Sequence, residues 1–296
     1  MVDGCSVVVA TAGTRKDWLR RCLRSLRSQT LRELQIVCVS LLRIEDVEGD
    51  PAISFIYEPR KGASNARNVG WRSAEFPIVA FIDDDCIADP RWASTVLRRF
   101  SARGQRLGCV TGRVLPTRSG AYVVLPDTYG GPRTFSSISL PAPPWKIGGG
   151  LNMAFRKEAL VQTGGFDIRL GPGSRFKAAE DLDLFHRMIT NGYEIDYDPS
   201  ALVYHEPMDR LQEVVYKRFA YRVGLGALFA KYPEVAGLQG IFWPFALKEA
   251  RNALSAALRL DGQSFLTSVA GLPGLLLGRL FASIAYTVHP GRVATP

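Results

Sequence analysis

A chain of 296 residues with 47% hydrophobic content can bury a large core, which excludes a disordered protein and suits one sizeable domain or a domain with an appendage. Lys and Arg number 37 against 28 acids, a net charge of +9, so the partners to expect are anionic: nucleic acid, an acidic membrane surface or a phosphorylated substrate. The five cysteines, Cys5, Cys22, Cys38, Cys86 and Cys109, are scattered without a CxxC pair, which argues against a zinc site or a disulfide framework and for a reducing compartment.

The N-terminus runs into a strand pattern with no basic-then-apolar leader, so no secretory signal is expected. Ser6 to Thr11 reads as a Val-rich strand, and Ala12-Gly13-Thr14 as a turn from which a helix starts. Trp18, Leu19, Cys22, Leu23 and Leu26 then fall at helical spacing, with Arg15, Lys16, Arg20, Arg21, Arg24 and Arg27 in the other positions. That face can meet phosphates, although a solvated helix surface is the plainer account. Leu34 to Val39 and Ile53 to Tyr57 are two more strands, and Gly62 to Ala74 is a short helix. Its opening, Lys61-Gly62-Ala63-Ser64-Asn65-Ala66-Arg67, offers backbone amides and two cations to an anion.

Ile78 to Ile82 is an unbroken apolar run of strand length, expected to be buried on both faces, and it ends in Asp83, Asp84 and Asp85. Alternating strands and helices imply a mainly parallel sheet, and the carboxyl end of a central strand is where such folds bind ligands. Three acids there suit a hard cation with its phosphate ligands; a solvated turn leading to the helix near Pro90 is the other reading. Residues 115 to 147, rich in proline, read as a long functional loop, with Tyr129 and Trp145 either offering stacking faces or anchoring the loop. Gly148-Gly149-Gly150 then admits close approach to the backbone beside a strand. Glu180 and Asp181 open a further helix, where the macrodipole favours an ionised carboxylate, as a cap or as a base.

The ordered set Lys61-Gly62-x-x-Asn65-Ala66-Arg67-Asn68, Asp83-Asp84-Asp85, Gly150-x-Asn152-Met153-Ala154-Phe155, Gly164-Gly165-Phe166-Asp167 and Glu180-Asp181-x-Asp183-Leu184 resembles the family 2 glycosyltransferases of the GT-A fold. The resemblance covers about residues 5 to 206 and implies a mixed, mainly parallel α/β sheet flanked by helices. It further implies a nucleotide-diphospho-sugar donor, a divalent metal (Mn2+ or Mg2+) and transfer to a hydroxyl with inversion. By that likeness Asp85 is a metal ligand with His205 as a further contact, Thr11, Lys61, Arg67, Asp83 and Asp84 lie on the nucleotide side, and Asp181 is the general base. Val39-Ser40-Leu41-Leu42 stands where the family commonly has an acidic pair, and Ala10 and Gly13 replace its usual proline and asparagine.

The expected domains are residues 1–206, with a nucleotide-sugar half to about 114 and an acceptor half from 115, and a helical extension over 207–296. Within the extension Leu211 to Lys231, Ile241 to Leu260 and Phe265 to Val288 read as helices. The last is apolar but interrupted by Pro273 and Arg279, which favours lying on a membrane interface or a second subunit over spanning a bilayer. Packing on the catalytic domain is the alternative. A cytoplasmic protein, peripheral at the inner face of the cell membrane, follows as the expected location. The rival functions are a nucleotidyltransferase and a basic nucleic-acid-binding protein, and no nucleic-acid motif is present to support the latter.

Overall fold

The computed structural model describes residues 4–119, 129–136, 147–233, 236–259 and 262–288. The chain forms two compact units, one with its described residues within Met1–Ser119, Leu125–Asp167 and Asp181–Glu206, the other within Ile168–Glu180 and Pro207–Pro296. Segment Ile168–Glu180 therefore groups with the C-terminal helices.

The first unit is built on β1 (Cys5–Thr11), α1 (Lys16–Arg27), β2 (Leu34–Ser40), α2 (Glu45–Glu48), β3 (Ser54–Tyr57), α3 (Ala63–Arg72), β4 (Ile78–Asp83) and β5 (Cys86–Ala88). It continues with α4 (Trp92–Ala102), β6 (Leu107–Pro116), β7 (Arg133–Phe135), β8 (Asn152–Arg156), α5 (Lys157–Thr163), α6 (Glu180–Thr190) and β9 (Glu194–His205). The strands join in one sheet of order β3-β2-β1-β4-β8-β6-β9-β5, with β7 beside β9. Its first four strands are parallel, as are β6 and β9, while β8 runs antiparallel to both β4 and β6, and β5 and β7 to β9.

Helices cover both faces of this sheet, which is why β4 carries no polar alternation. Ile78, Ala80 and Ile82 enter one core with Leu19, Cys22, Leu23 and Leu26 of α1 and Trp92 and Phe100 of α4. Val79 and Phe81 enter the other, with Trp71 of α3 and Leu184, Phe185 and Met188 of α6. All five cysteines are free and buried. The proline-rich stretch expected to be loop from residue 115 starts inside β6, whose ladder with β9 runs on to Pro116, and it contains β7. Backbone pairing with β9 overrides the turn-forming composition there. Trp145 lies outside the described residues. Tyr129 is an anchor: its ring packs 5.4 Å from that of Tyr197 and 6.1 Å from that of Phe135, with the Arg133 guanidinium over it.

Two buried asparagines tie these elements together. Asn68 donates to the Phe166 carbonyl at 2.8 Å and accepts from the Phe166 N–H at 2.9 Å and Trp71 Nε1 at 3.0 Å. The chain reaches it by a turn at Gly165, where φ is +70° and a Cβ would stand 2.6 Å from Asn68 Oδ1, so only glycine fits. Asn152 donates to the carbonyls of Arg113 and Ala201, each at 2.9 Å, and accepts from Trp92 Nε1 at 2.9 Å.

The second unit contains α7 (Leu211–Lys231), α8 (Ala236–Leu258) and α9 (Gly262–Val288). Helices α7 and α9 approach backbone to backbone: a Cβ on Gly226 would stand 2.1 Å from the Leu275 carbonyl, and one on Gly278 2.0 Å from the Val223 carbonyl. Leu170 and Phe176 of segment Ile168–Glu180 pack with Val223, Ala227 and Ala282 of this pair.

Replacing Asn152 by alanine takes the partner from one buried N–H, one buried carbonyl and one part-buried carbonyl. The expected cost is about 3 kcal/mol, read as a lower urea midpoint at unchanged slope.

Candidate active site

The register of the sheet decides which ends meet. Ala10 of β1 lies beside Asp83 of β4, Ile82 lies across from Asn152 at the start of β8, and Cys86 of β5 lies across from His205 at the end of β9. The ends of β1, β4 and β9 and the beginning of β8 therefore share one edge of the sheet, at the carboxyl end of β4.

On that edge the three carboxylates have different surroundings. Asp83 is part-exposed and accepts from Arg67 at 2.9 Å; Arg67 itself is buried, 5.7 Å from the Phe166 ring. Asp84 is 4% exposed, accepts from the Thr11 hydroxyl at 2.5 Å, and forms an ion pair with Arg15. Asp85 accepts from Arg15 Nη1 at 2.5 Å, and its other oxygen lies 3.6 Å from His205 Nε2. A backbone bond from the Glu206 N–H to the Asp85 carbonyl, 3.0 Å, fixes that last distance by clamping the end of β9 to the turn.

Burial pushes the Asp84 carboxyl above the usual carboxylate range, with Arg15 and the Thr11 hydroxyl pulling the other way. Burial works against the Arg15 charge as well, but Asp85 and Asp84 outweigh it and raise its pKa. The guanidinium is thus a permanent cation held across two of the three acids while its side chain remains 51% exposed.

Helical periodicity puts Arg15 on the solvated face of α1. It lies instead at the N-terminal cap of α1, where the loop leaving β1 passes the end of β4. The signal available for it is the proximity of that loop to a neighbouring parallel strand, and the helical spacing conceals it. Thr11 and Asp84, expected near the nucleotide, are buried against each other, and Lys61 stands exposed in the loop leading into α3.

Asp181, in the first turn of α6, accepts the Gly150 N–H at 2.7 Å and the Leu182 N–H at 2.8 Å. Because Gly150 leads into β8, this bond fastens the start of α6 to the edge that holds the acids. Among the described residues no group of three or more His, Cys, Asp or Glu forms a metal cage. Asp85 and His205 nevertheless offer an oxygen and a nitrogen to one point, a donor set that fits a divalent ion completed by phosphate oxygens rather than by protein alone.

A family model, glycosyl transferase family 2, matches residues 6–162. The chain belongs to that family. It is 25% identical to the pre-mycofactocin glycosyltransferase of Mycobacterium tuberculosis over 96% of its own length, but spans only 56% of that relative. It is 22% identical to the glucosyl-dolichyl phosphate glucuronosyltransferase of Haloferax volcanii, covering 78% of this chain and 79% of that one. Among solved structures, a mannosyltransferase of Pyrobaculum calidifontis in complex with GDP-Man and Mn2+ superposes with a TM-score of 0.61 at 16% identity, over 94% of this chain and 86% of that one. The fold is the GT-A type.

The loop before α3 has its own electrostatic lock. Arg60 donates to Glu58 through its backbone N–H, Nε and Nη2, at 2.8 to 2.9 Å, and holds that carboxyl down from 4.5 to about 2. A carboxyl lowered in the folded state adds stability that is complete above pH 4.5 and is lost as the pH falls toward 2. Glu58→Gln should therefore have a lower urea midpoint than wild type at neutral pH, with the gap closing through that acid window. The gap is small because Arg60 is largely exposed.

Proposed function

We propose that this family 2 enzyme is an inverting, metal-dependent glycosyltransferase that moves a sugar from a nucleoside-diphosphate donor to a hydroxyl acceptor on a glycan, lipid-linked or natural-product molecule. The observation that carries the reading is the shared sheet edge, where Asp85 and His205 meet at one point while Asp181 is tied to Gly150 at the beginning of β8. The two acidic stations differ in surroundings as an anion-holding end and a proton-accepting end must.

Asp85 and His205 would hold a divalent cation together with the donor's diphosphate, and the cation would neutralise charge growing on the leaving group. Arg67 and Lys61 add positive charge on the same side, and Arg15 holds Asp84 and Asp85 in place beside the ion. Asp181 accepts the proton of the acceptor hydroxyl as that oxygen bonds to the anomeric carbon. The bond from that carbon to the β-phosphate oxygen breaks on the opposite face, its electron pair leaving with the nucleoside diphosphate, which inverts the centre.

The GDP-Man and Mn2+ bound by the Pyrobaculum calidifontis enzyme support the donor class and the ion. The name of the Haloferax volcanii relative supports a lipid-linked acceptor. A cytoplasmic enzyme peripheral at the inner face of the membrane, or paired with a second copy through its helices, fits this chemistry.

A thermal-shift panel of UDP, GDP, dTDP, CDP and ADP, each with and without manganese, tests the donor side. One diphosphate should raise Tm in a metal-dependent way, and Asp85→Ala should lose the rise. Asp181→Asn should keep it while turnover falls on the order of a thousandfold. A full set of flat responses would refute the donor assignment.

A further inference from the structure

We infer that the second unit carries a docking surface for an anionic lipid bilayer, made by α8 and α9 and lying along the interface without crossing it. Among the described residues, eleven of the eighteen exposed large apolar side chains belong to these two helices. On α8 they are Trp243, Leu247, Leu254 and Leu258, spaced by four, seven and four residues, so they form one stripe on a helix of 3.6 residues per turn. Trp243 is 63% exposed and Leu258 78%. On α9 a matching stripe runs through Val269, Leu276, Leu280 and Ile284, at steps of seven, four and four. A soluble core helix would bury such residues; only 28% of the apolar window Val269–Tyr286 is buried.

Three features select the interfacial mode. The other face of α9 is occupied by α7, at Gly274 and Gly278, so the helix is already packed along its length. Its window contains Arg279, whose guanidinium stands 4.0 Å from the Phe242 ring of α8. An exposed tryptophan on the same helix as the exposed Lys248 and Arg251 is the composition of an interfacial helix.

Charge selects an anionic bilayer. Arg222 of α7 is paired with Glu249 and Arg279 lies over the Phe242 ring, whereas Lys248 and Arg251 of α8 are exposed. Lys248 and Arg251 border the α8 stripe, and with Pro244, Leu247, Asn252 and Ser255 they line an open recess along the surface of that helix. An anionic headgroup layer neutralises these two exposed cations as the apolar stripe beside them enters the interface.

The test is co-sedimentation of the full chain with vesicles of phosphatidylcholine alone, or with about one third phosphatidylglycerol, at low and high salt, with light scattering for mass. The anionic vesicles should pellet the protein at low salt, several-fold better than the neutral ones, and high salt should reduce binding. Leu254→Glu with Leu280→Glu should cut the bound fraction about tenfold, and Lys248→Glu with Arg251→Glu should abolish the anionic preference. All four positions are exposed, so Tm and the nucleotide response of the donor site should be unchanged; if the apolar pair lowered Tm, the charge pair decides. No pelleting at low salt, equal pelleting with neutral vesicles, or binding indifferent to both variants overturns the proposal. A doubled mass that the apolar pair abolishes, without vesicle binding, assigns the face to a second copy and overturns it equally.

Discussion

The site depends on one buried carboxylate. Asp84 is out of water at the end of β4, and a charge there persists only if other groups replace its hydration. The Thr11 hydroxyl supplies one bond and Arg15 a full positive charge, and both come from the end of β1 and the loop after it. Satisfying Asp84 thus locks the β1 loop against the turn Asp84–Asp85, and the same guanidinium reaches Asp85. Asp85 is left facing His205, with its other neighbours set by the β5–β9 pairing. Asp84 organises the loop, and Asp85 beside it is the acid presented.

A second constraint works through amides. Asn68 and Asn152 each bury a side chain with both its donor and acceptor ends engaged, one joining α3 to the turn at Gly165-Phe166, the other joining β8 to α4, β6 and β9. A fully satisfied polar group specifies geometry more sharply than an apolar contact of the same size, since any slip leaves a bond unmade. Motif residues that invite a catalytic reading are here the fasteners that hold separated segments at one edge, and Asp181 reaches that edge through Gly150, just ahead of Asn152 in the chain.

The helical unit obeys different rules. Glycines bring α7 and α9 into backbone contact, a mode of packing that needs little apolar burial between helices and leaves large side chains to face outward. Segment Ile168–Glu180 belongs to this unit although it lies between the Gly164–Asp167 turn and Asp181 in the chain. Lys177 and Ala179 adopt positive φ there, at 64° and 72°, in a stretch whose Phe176 stacks 6.0 Å from Tyr286. Nothing in local composition announces that membership, because the partner residues lie far along the chain.

Strand and helix periodicity, the double burial of β4 and the ordered motifs are legible in the residues, since each is a local pattern or a fixed spacing. So are the acids of β4, His205 and Asp181 as a set of candidates. The long loop expected after residue 115 gives way to β6 and β7, which are held by backbone pairing with β9 that proline content does not report. Arg15 escapes a sequence reading because its spacing fits the outer face of α1, while its contacts are to acids at the end of β4. The order of residues thus specifies which segments become strands and helices and which chemical groups stand at their ends. Which acid is buried, which is presented and what neutralises them are settled only in three dimensions, because those outcomes depend on desolvation and on the register between strands that are neighbours in space and strangers in sequence.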